Sequence, residues 1–460
     1  METSALKLYD TVQANLAKRE NLDDTAAILD SLIAEKIDLV SAYYLLASLF
    51  VLKTQFAIAE QFFILADKLR PNDPSIINGL GCVSMELLRH HEAIDRFKQS
   101  LALKPNDPMI YNNLATCYVH LGEPAEGLKW ARMAFEGEPD NADTEQNLSQ
   151  CLLGLGQWEE GFKHYDSRLL LPDRKERFYT ADKSDKYWDG TKGQTIIVHG
   201  EQGLGDEIMF ASMLPDVMKD CNVIYDCNSR LINIMRDSFP DIPVYGTKQQ
   251  NGDVEWYGNH KIDAKISIGS LAKFYRKKKS DFPRKPYLKA DWGLRGKYCA
   301  QLEMLGKRPK IGISWYGGAK RTSQSYRFNP LANWLDILKL DADFISLQYN
   351  KEAGEKIERF NKENGTNIHH WPETLEDYDE TAALLMNLDL VISAPQSVVH
   401  LAGALGVECW RLCAHQSMWL HGEHGKDAPW YGTVTNYWQD KDCDWKPVME
   451  RVYNELRRFI

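Results

Sequence analysis

Three prolines, Pro71, Pro105 and Pro139, stand 34 residues apart, and each closes a similar phrase: KLRPNDP, ALKPNDP and EGEPDN. A fixed period of this length means one supersecondary unit stacked on copies of itself. Smaller marks keep the same phase. Leu46-Ala47, Leu80-Gly81 and Leu114-Ala115 occupy one place in the period; Ala59, Ala93 and Gly127 occupy another. Phe63 and Phe97 follow the second place. Two helices cross closely where a side chain is small, and an aromatic ring fills the wedge beside it. The proline cannot continue a helix, so it begins the turn into the next pair. Leu148, Gly156, Gly161 and Tyr165 carry the phase onward, and residues 6–37 fit it weakly, as a degenerate cap does. The reading is about four repeats, the first degenerate, over residues 1–171.

This period and phase resemble tetratricopeptide repeats, which implies an α-solenoid. Its concave face can hold a protein or glycan acceptor; the alternative use of such an array is a homodimer interface or a spacer.

The 460 residues exceed one ordinary core, so further domains are expected. No run approaches the ~18 apolar residues of a spanning helix. The start, METSALKLYDTVQANLAKRE, is an acid-bearing amphipathic helix without the layout of a signal peptide, and a cytoplasmic protein is expected. Nine cysteines occur with no C-x-x-C pair, which argues against structural zinc and a disulfide framework; most are expected reduced and buried. The net charge of −10 offers nothing general to nucleic acid, which is not an expected partner. One basic run, Arg276-Lys277-Lys278-Lys279, reads as a solvated segment or as an anchor for an acidic acceptor or membrane surface.

Residues 172–194 read as a polar linker. Beyond it, apolar β-branched runs alternate with helical patterns: TIIVHG (195–200), a glycine turn and a helix from Asp206, then CNVIYDC and SRLINIMRDSF. A second block starts at Lys310 with IGISW (311–315). It continues with a helix over 331–340, FISLQ (344–348), a helix near 353–363 and another over 379–388. LVISA (390–394), a helix over 397–406, VECWRLC (407–413) and a last helix over 445–460 complete it. This βαβ grammar predicts parallel sheets in two Rossmann-like blocks, 195–300 and 301–460, joined near 284–309 around a cleft.

Three motifs fall at strand ends. In Gly200-Glu-Gln-Gly203-Leu-Gly205-Asp206, glycines let backbone approach a ligand at a helix start, where free N–H groups favour anions. Ile208 stands where a dinucleotide fingerprint wants its third glycine, although Asp226 lies about 20 residues on; a nicotinamide oxidoreductase stays as a rival. Asp206 reads as a helix N-cap, as a general base, or as both. In Ser314-Trp-Tyr-Gly317-Gly318-Ala-Lys320-Arg321, followed by Arg327, two glycines and three cations suit a diphosphate; the other reading is a charged surface loop. In Pro395-Gln396-Ser397-Val-Val-His400, Ser397 reads as the N-cap of a second helix whose start could face phosphate, and His400 as a core histidine or a ligand contact.

Together GEQGLGDEIMFASMLP, IGISWYGG with its basic loop, SLQ, ETAALLMNLDLVIS, HLAGALG and APWYG resemble the heptosyltransferase-like glycosyltransferases, in particular members preceded by tetratricopeptide repeats; the layout is also similar to protein O-linked N-acetylglucosamine transferases. The resemblance implies a GT-B arrangement and an inverting, metal-independent transfer from a nucleotide-sugar to a hydroxyl, with no cofactor beyond that co-substrate. It places the base at Asp206, beside Gly203 and Gly205. It places donor contacts at Gly317, Gly318, Lys320, Arg321 and Arg327, at Gln348 near base and ribose, and at Gln396, Ser397 and His400 around the diphosphate. Where the family carries Asp-Thr or Asp-Ser before the last helix, this chain has Pro395-Gln396, which keeps a catalytically inactive binding scaffold as the alternative. The nucleotide, the sugar, the acceptor and the oligomeric state are not specified by these residues.

Overall fold

A computed structural model describes residues 2–171, 186–247, 255–317, 328–350, 352–416, 419–421 and 425–460. The chain divides into two compact units, Met1–Cys151 and Leu152–Ile460.

The first unit is helical. Four consecutive pairs, α1 (Glu2–Lys18) with α2 (Leu22–Ala34), α3 (Leu39–Leu52) with α4 (Phe56–Leu69), α5 (Pro74–Glu86) with α6 (His90–Leu103) and α7 (Pro108–His120) with α8 (Pro124–Gly137), are followed by α9 (Ala142–Gly154). The repeated phrase N-D-P is a cap. Asp73 accepts the backbone N–H of Ser75 at 2.9 Å with Pro74 in the first turn, and Asp107 accepts that of Met109 at 3.1 Å ahead of Pro108. Proline tolerates a helix start because no N–H is needed there. Asn72 and Asn106 bend the turn before each cap with φ of 66° and 64°. The small residues work as expected of them: a Cβ on Gly81 would stand 2.6 Å from the Phe97 ring, and one on Gly79 would stand 2.5 Å from Phe63.

The division falls inside α9, ahead of the boundary at 171 expected from the period. The next helix, α10 (Trp158–His164), buries Trp158 and Phe162 in the core of the second unit. The segment expected to be linker also contributes beyond residue 185. Trp188 is buried, and its N–H donates to the carbonyl of Lys265 at 2.9 Å.

The second unit holds two sheets, parallel throughout. The first has the order β3-β2-β1-β4, from β1 (Thr195–His199), β2 (Asn222–Asp226), β3 (Val244–Tyr245) and β4 (Ala264–Ser267). The second has the order β10-β9-β8-β5-β6-β7, from β5 (Lys310–Ser314), β6 (Asp343–Ser346), β7 (Ile368–His369), β8 (Leu390–Ser393), β9 (Cys409–Cys413) and β10 (Val434–Trp438). The strands read as continuous apolar runs because both faces are covered, as parallel sheets require. Three helices position the site: α11 (Leu204–Ala211) after β1, α12 (Tyr378–Leu385) before β8 and α13 (Ser397–Leu405) after it. One apolar core joins them, with Phe210 of α11, Leu384 of α12 and Leu401 of α13 in it.

Several elements differ from the sequence reading. The helix expected over 331–340 is two short 3-10 turns, Leu331–Trp334 and Ile337–Lys339. The stretch 284–309, expected to connect, contains a helix over Trp292–Glu303 whose first turn is capped by Asp291. None of the nine cysteines forms a disulfide, and six of them are buried. Among the described residues no helix is long and apolar enough to cross a membrane.

Candidate functional site

Two strand-to-helix turns meet at the carboxyl ends of the sheets. The first runs Gly200–Asp206 from β1 into α11; the second runs Ala394–His400 from β8 into α13. A Cβ on Gly205 would stand 3.0 Å from Cδ2 of His400 and 3.3 Å from Cα of Ser397. Gly205 is therefore glycine because the start of α13 lies against it. Two helix starts, each with unsatisfied N–H groups and a positive dipole end, share one locality.

Position corrects two cap assignments. The N-cap of α11 is Gly203, and Asp206 lies within the first turn. The Asp206 carboxylate folds back over Gly203, where a Cβ would stand 2.9 Å from Oδ2. The N-cap of α13 is Gln396, and Ser397 is the first helical residue; its Oγ accepts the phenol of Tyr378 at 2.8 Å.

His400 is buried, with Nδ1 3.0 Å from the Tyr431 hydroxyl. Burial first, then the charge of Arg411, brings its pKa down to about 3, so the ring is neutral at ordinary pH. Burial pushes the Tyr431 phenol far up; Tyr287 adds to this, and the negative charge of Asp206 is a lesser contribution. Asp206 of the first turn and Tyr431 beside the second thus act on each other electrostatically.

The side-chain amides along the second sheet are oriented by elimination. The N–H of Tyr316 must donate, so the atom facing it at 3.1 Å is Gln348 Oε1; Gln348 Nε2 returns a bond to Tyr316 O at 2.9 Å. The Ser314 hydroxyl donates its one proton to the same Oε1 at 3.0 Å. Ser314 can then only accept, so Gln396 turns Nε2 toward it. That leaves Gln396 Oε1 buried with no hydrogen-bond partner among the described residues. Gln348, expected near a base and ribose, spends its amide clamping the backbone of Tyr316. Gly317, next in the chain, lies against the same turn, where a Cβ would stand 2.7 Å from Pro395 O. Gly318, Lys320, Arg321 and Arg327 lie outside the described residues.

Asp226 does not stand ready for a ribose. It is buried, and Oδ1 accepts both the N–H and the hydroxyl of Thr247 at 2.9 Å. The basic run divides: Arg276 is buried and paired with Asp216 at 2.8 Å, while Lys277, Lys278 and Lys279 are exposed.

Residues the sequence did not single out complete the neighbourhood. Glu201, inside the first turn, is buried and paired with Arg168, and its Oε1 also accepts the hydroxyl of Ser267 at 2.7 Å and the N–H of Gly269 at 3.2 Å. Arg230 follows β2 and lies over the ring of Tyr378, 5.1 Å from its centroid. Neither had a signal beyond an ordinary charged residue in a polar phrase.

Residues 97–129 match the family described as tetratricopeptide repeat. Over 293 residues the chain is 31% identical to Protein FlbA of Caulobacter vibrioides, a match taking in 59% of this chain and 48% of that one. The chain thus spans about half the length of the curated relative it matches. Among solved structures it is similar to PilF of Pseudomonas aeruginosa, with a TM-score of 0.35, 14% identity and coverage of 48% of this chain and 86% of that one. It is also similar to a MamA RS-1 double mutant, with a TM-score of 0.32, 16% identity and coverage of 37% and 96%. The N-terminal helices are tetratricopeptide repeats, and parallel-sheet structure follows them.

Proposed function

We propose that the chain is a glycosyltransferase of GT-B arrangement that moves a sugar from a nucleotide-sugar donor to a hydroxyl acceptor. The observation that carries the reading is the meeting of two strand-to-helix turns, Gly205 of the first against Ser397 and His400 of the second. Ligands of parallel α/β sheets bind beyond the carboxyl ends of the strands, and the order β3-β2-β1-β4 contains the 3-2-1 order of a mononucleotide-binding half with one strand added beside β1. Two helix starts favour an anion there. In this reading Gly317, Gly318, Lys320, Arg321 and Arg327 are contacts of the donor diphosphate, as is Ser397. Positive groups aimed at the leaving diphosphate supply the largest catalytic contribution. Asp206 takes the proton of the acceptor hydroxyl, and the repeats hold a protein or glycan acceptor, or a second copy of the chain. Gln348 shapes the donor pocket through Tyr316 rather than by touching the ligand.

The test is a thermal-shift panel with UDP, GDP, ADP and CMP and their sugar conjugates, followed by mass spectrometry of acceptor mixtures. A ligand that binds only the native state raises the melting point. One nucleotide class is expected to stabilise the chain and to lose its effect in Arg327→Ala. Asp206→Asn is expected to keep donor binding and lower turnover by about 10²- to 10⁴-fold. Unchanged turnover in Asp206→Asn removes the base assignment. Nucleotide binding without transfer to any acceptor favours the second reading, a binding scaffold, which the missing carboxylate at Pro395-Gln396 supports.

A further inference from the structure

We propose that the ligand at the start of α13 is a phosphate ester bearing free hydroxyls, its anionic oxygens held by Arg230 from the first sheet and one hydroxyl received by Gln396 Oε1. This rests on the donor site being where the preceding reading puts it, and it adds what that site recognises.

Two independent features point to a ligand. The first is the orphaned acceptor. Gln396 Oε1 is buried without a partner among the described residues, while the Nε2 of the same amide faces the hydroxyls of Ser314 and Ser393. An unsatisfied buried acceptor costs about 1–3 kcal/mol. A donor supplied by a ligand hydroxyl removes that cost; a bare phosphate oxygen has no proton to give.

The second is a cation with no ion pair among the described residues. Arg230 belongs to the 3-10 turn Ser229–Leu231, whose start is fixed by the Asn228 side chain accepting the Arg230 N–H at 3.1 Å. Its guanidinium rests on the ring of Tyr378, and the hydroxyl of that ring donates to Ser397, next in sequence to Gln396. The carboxylates of α12 and its cap are already engaged: Asp377 accepts the N–H of Asp379 at 2.8 Å, Asp379 accepts from Asn233 at 3.0 Å, and Glu380 pairs with Lys297 at 2.9 Å. Arg230 makes no ion pair among the described residues. Arg168 and Arg276, by contrast, are each spent on a carboxylate. A guanidinium held on an aromatic face keeps its N–H edge for a bidentate anion. Arg230 follows a strand of the first sheet and lies on the ring that bonds the start of α13, so phosphate binding in this proposal draws on both sheets.

Calorimetric titration of the full chain with pyrophosphate, with nucleoside diphosphates and with their sugar conjugates tests this. Arg230→Ala is expected to weaken every phosphate ligand, pyrophosphate included, by roughly 10- to 100-fold, with Arg230→Lys between it and the wild type. Gln396→Leu is expected to weaken the hydroxyl-bearing ligands and to spare pyrophosphate. Arg230 is exposed, so unchanged melting of its variants separates binding loss from misfolding. Equal affinities in wild type and Arg230→Ala overturn the proposal while leaving the transferase reading intact. Arg230-dependent binding without sugar transfer does the reverse. No phosphate ligand bound by the wild type sinks both.

Discussion

At the scale of residues, the repeat unit contains a buried titratable histidine. His90 opens α6, and its ring stacks on that of His120 at the end of α7, with centroids 5.1 Å apart and planes 5° from parallel. Neither nitrogen of His90 has a partner among the described residues, and burial, reinforced by His120 and His91, lowers its pKa to about 4. The unfolded chain therefore binds more protons than the folded one between the ordinary value of 6.5 and about 4. Stability from this site is complete above pH 6.5 and drains away as pH falls through that window, by on the order of 1–3 kcal/mol. Thermal melts at pH 7 and pH 5 are expected to show the repeat unit weakening in acid, and His90→Phe is expected to remove much of that slope. A wild-type melt equal at both pH values refutes it.

Elements repeat the lesson with charge and with volume. The Arg168–Glu201 pair is buried and ties the segment after α10 to the turn after β1. Arg168→Met alone leaves a buried carboxylate without its partner and is expected to cost about 3–5 kcal/mol in urea unfolding. Arg168→Met with Glu201→Leu should recover a large part. At the meeting of α11 and α13, Gly205→Val forces branched carbons into the space of His400 and Ser397. A loss of about 1–3 kcal/mol is expected, together with weakened nucleotide binding. A valine variant with native melting and affinity means the two turns do not need their close approach.

The elements were legible in the sequence to different depths. The repeats were plain because Pro71, Pro105 and Pro139 mark a period, although the capping work falls to Asp73 and Asp107 beside them. Strands β1, β2, β5, β6, β8 and β9 stood out as apolar runs. β3 and β7 are two residues each, too short to show a period, and β10 reads VTNYW, with a polar pair inside it. Of the site, glycines and helix starts could be read because backbone geometry demands them. Arg230, Tyr378 and the orphaned oxygen of Gln396 could not, since Arg230 and Tyr378 meet from distant parts of the chain and Gln396 takes its meaning from Ser314, 82 residues away.

For the molecule as a whole, the division into Met1–Cys151 and Leu152–Ile460 predicts unfolding that is not a single step. Scanning calorimetry is expected to resolve two transitions, with nucleotide raising only the one that belongs to the second unit. A single transition shifted as a whole by nucleotide contradicts this.

The contact of Gly205 with Ser397 joins points some 190 residues apart. A ribosome adding about 5–20 residues per second needs roughly 10–40 s to pass from one to the other. Through that interval Ile208, Met209 and Phe210 have been made and α13 has not, while the repeats, whose contacts are local, can already have closed. Premature stops between α11 and α13 should therefore yield a well-folded array trailing a sticky half-sheet, a species for chaperones and proteases, and one on which the anion site has never existed.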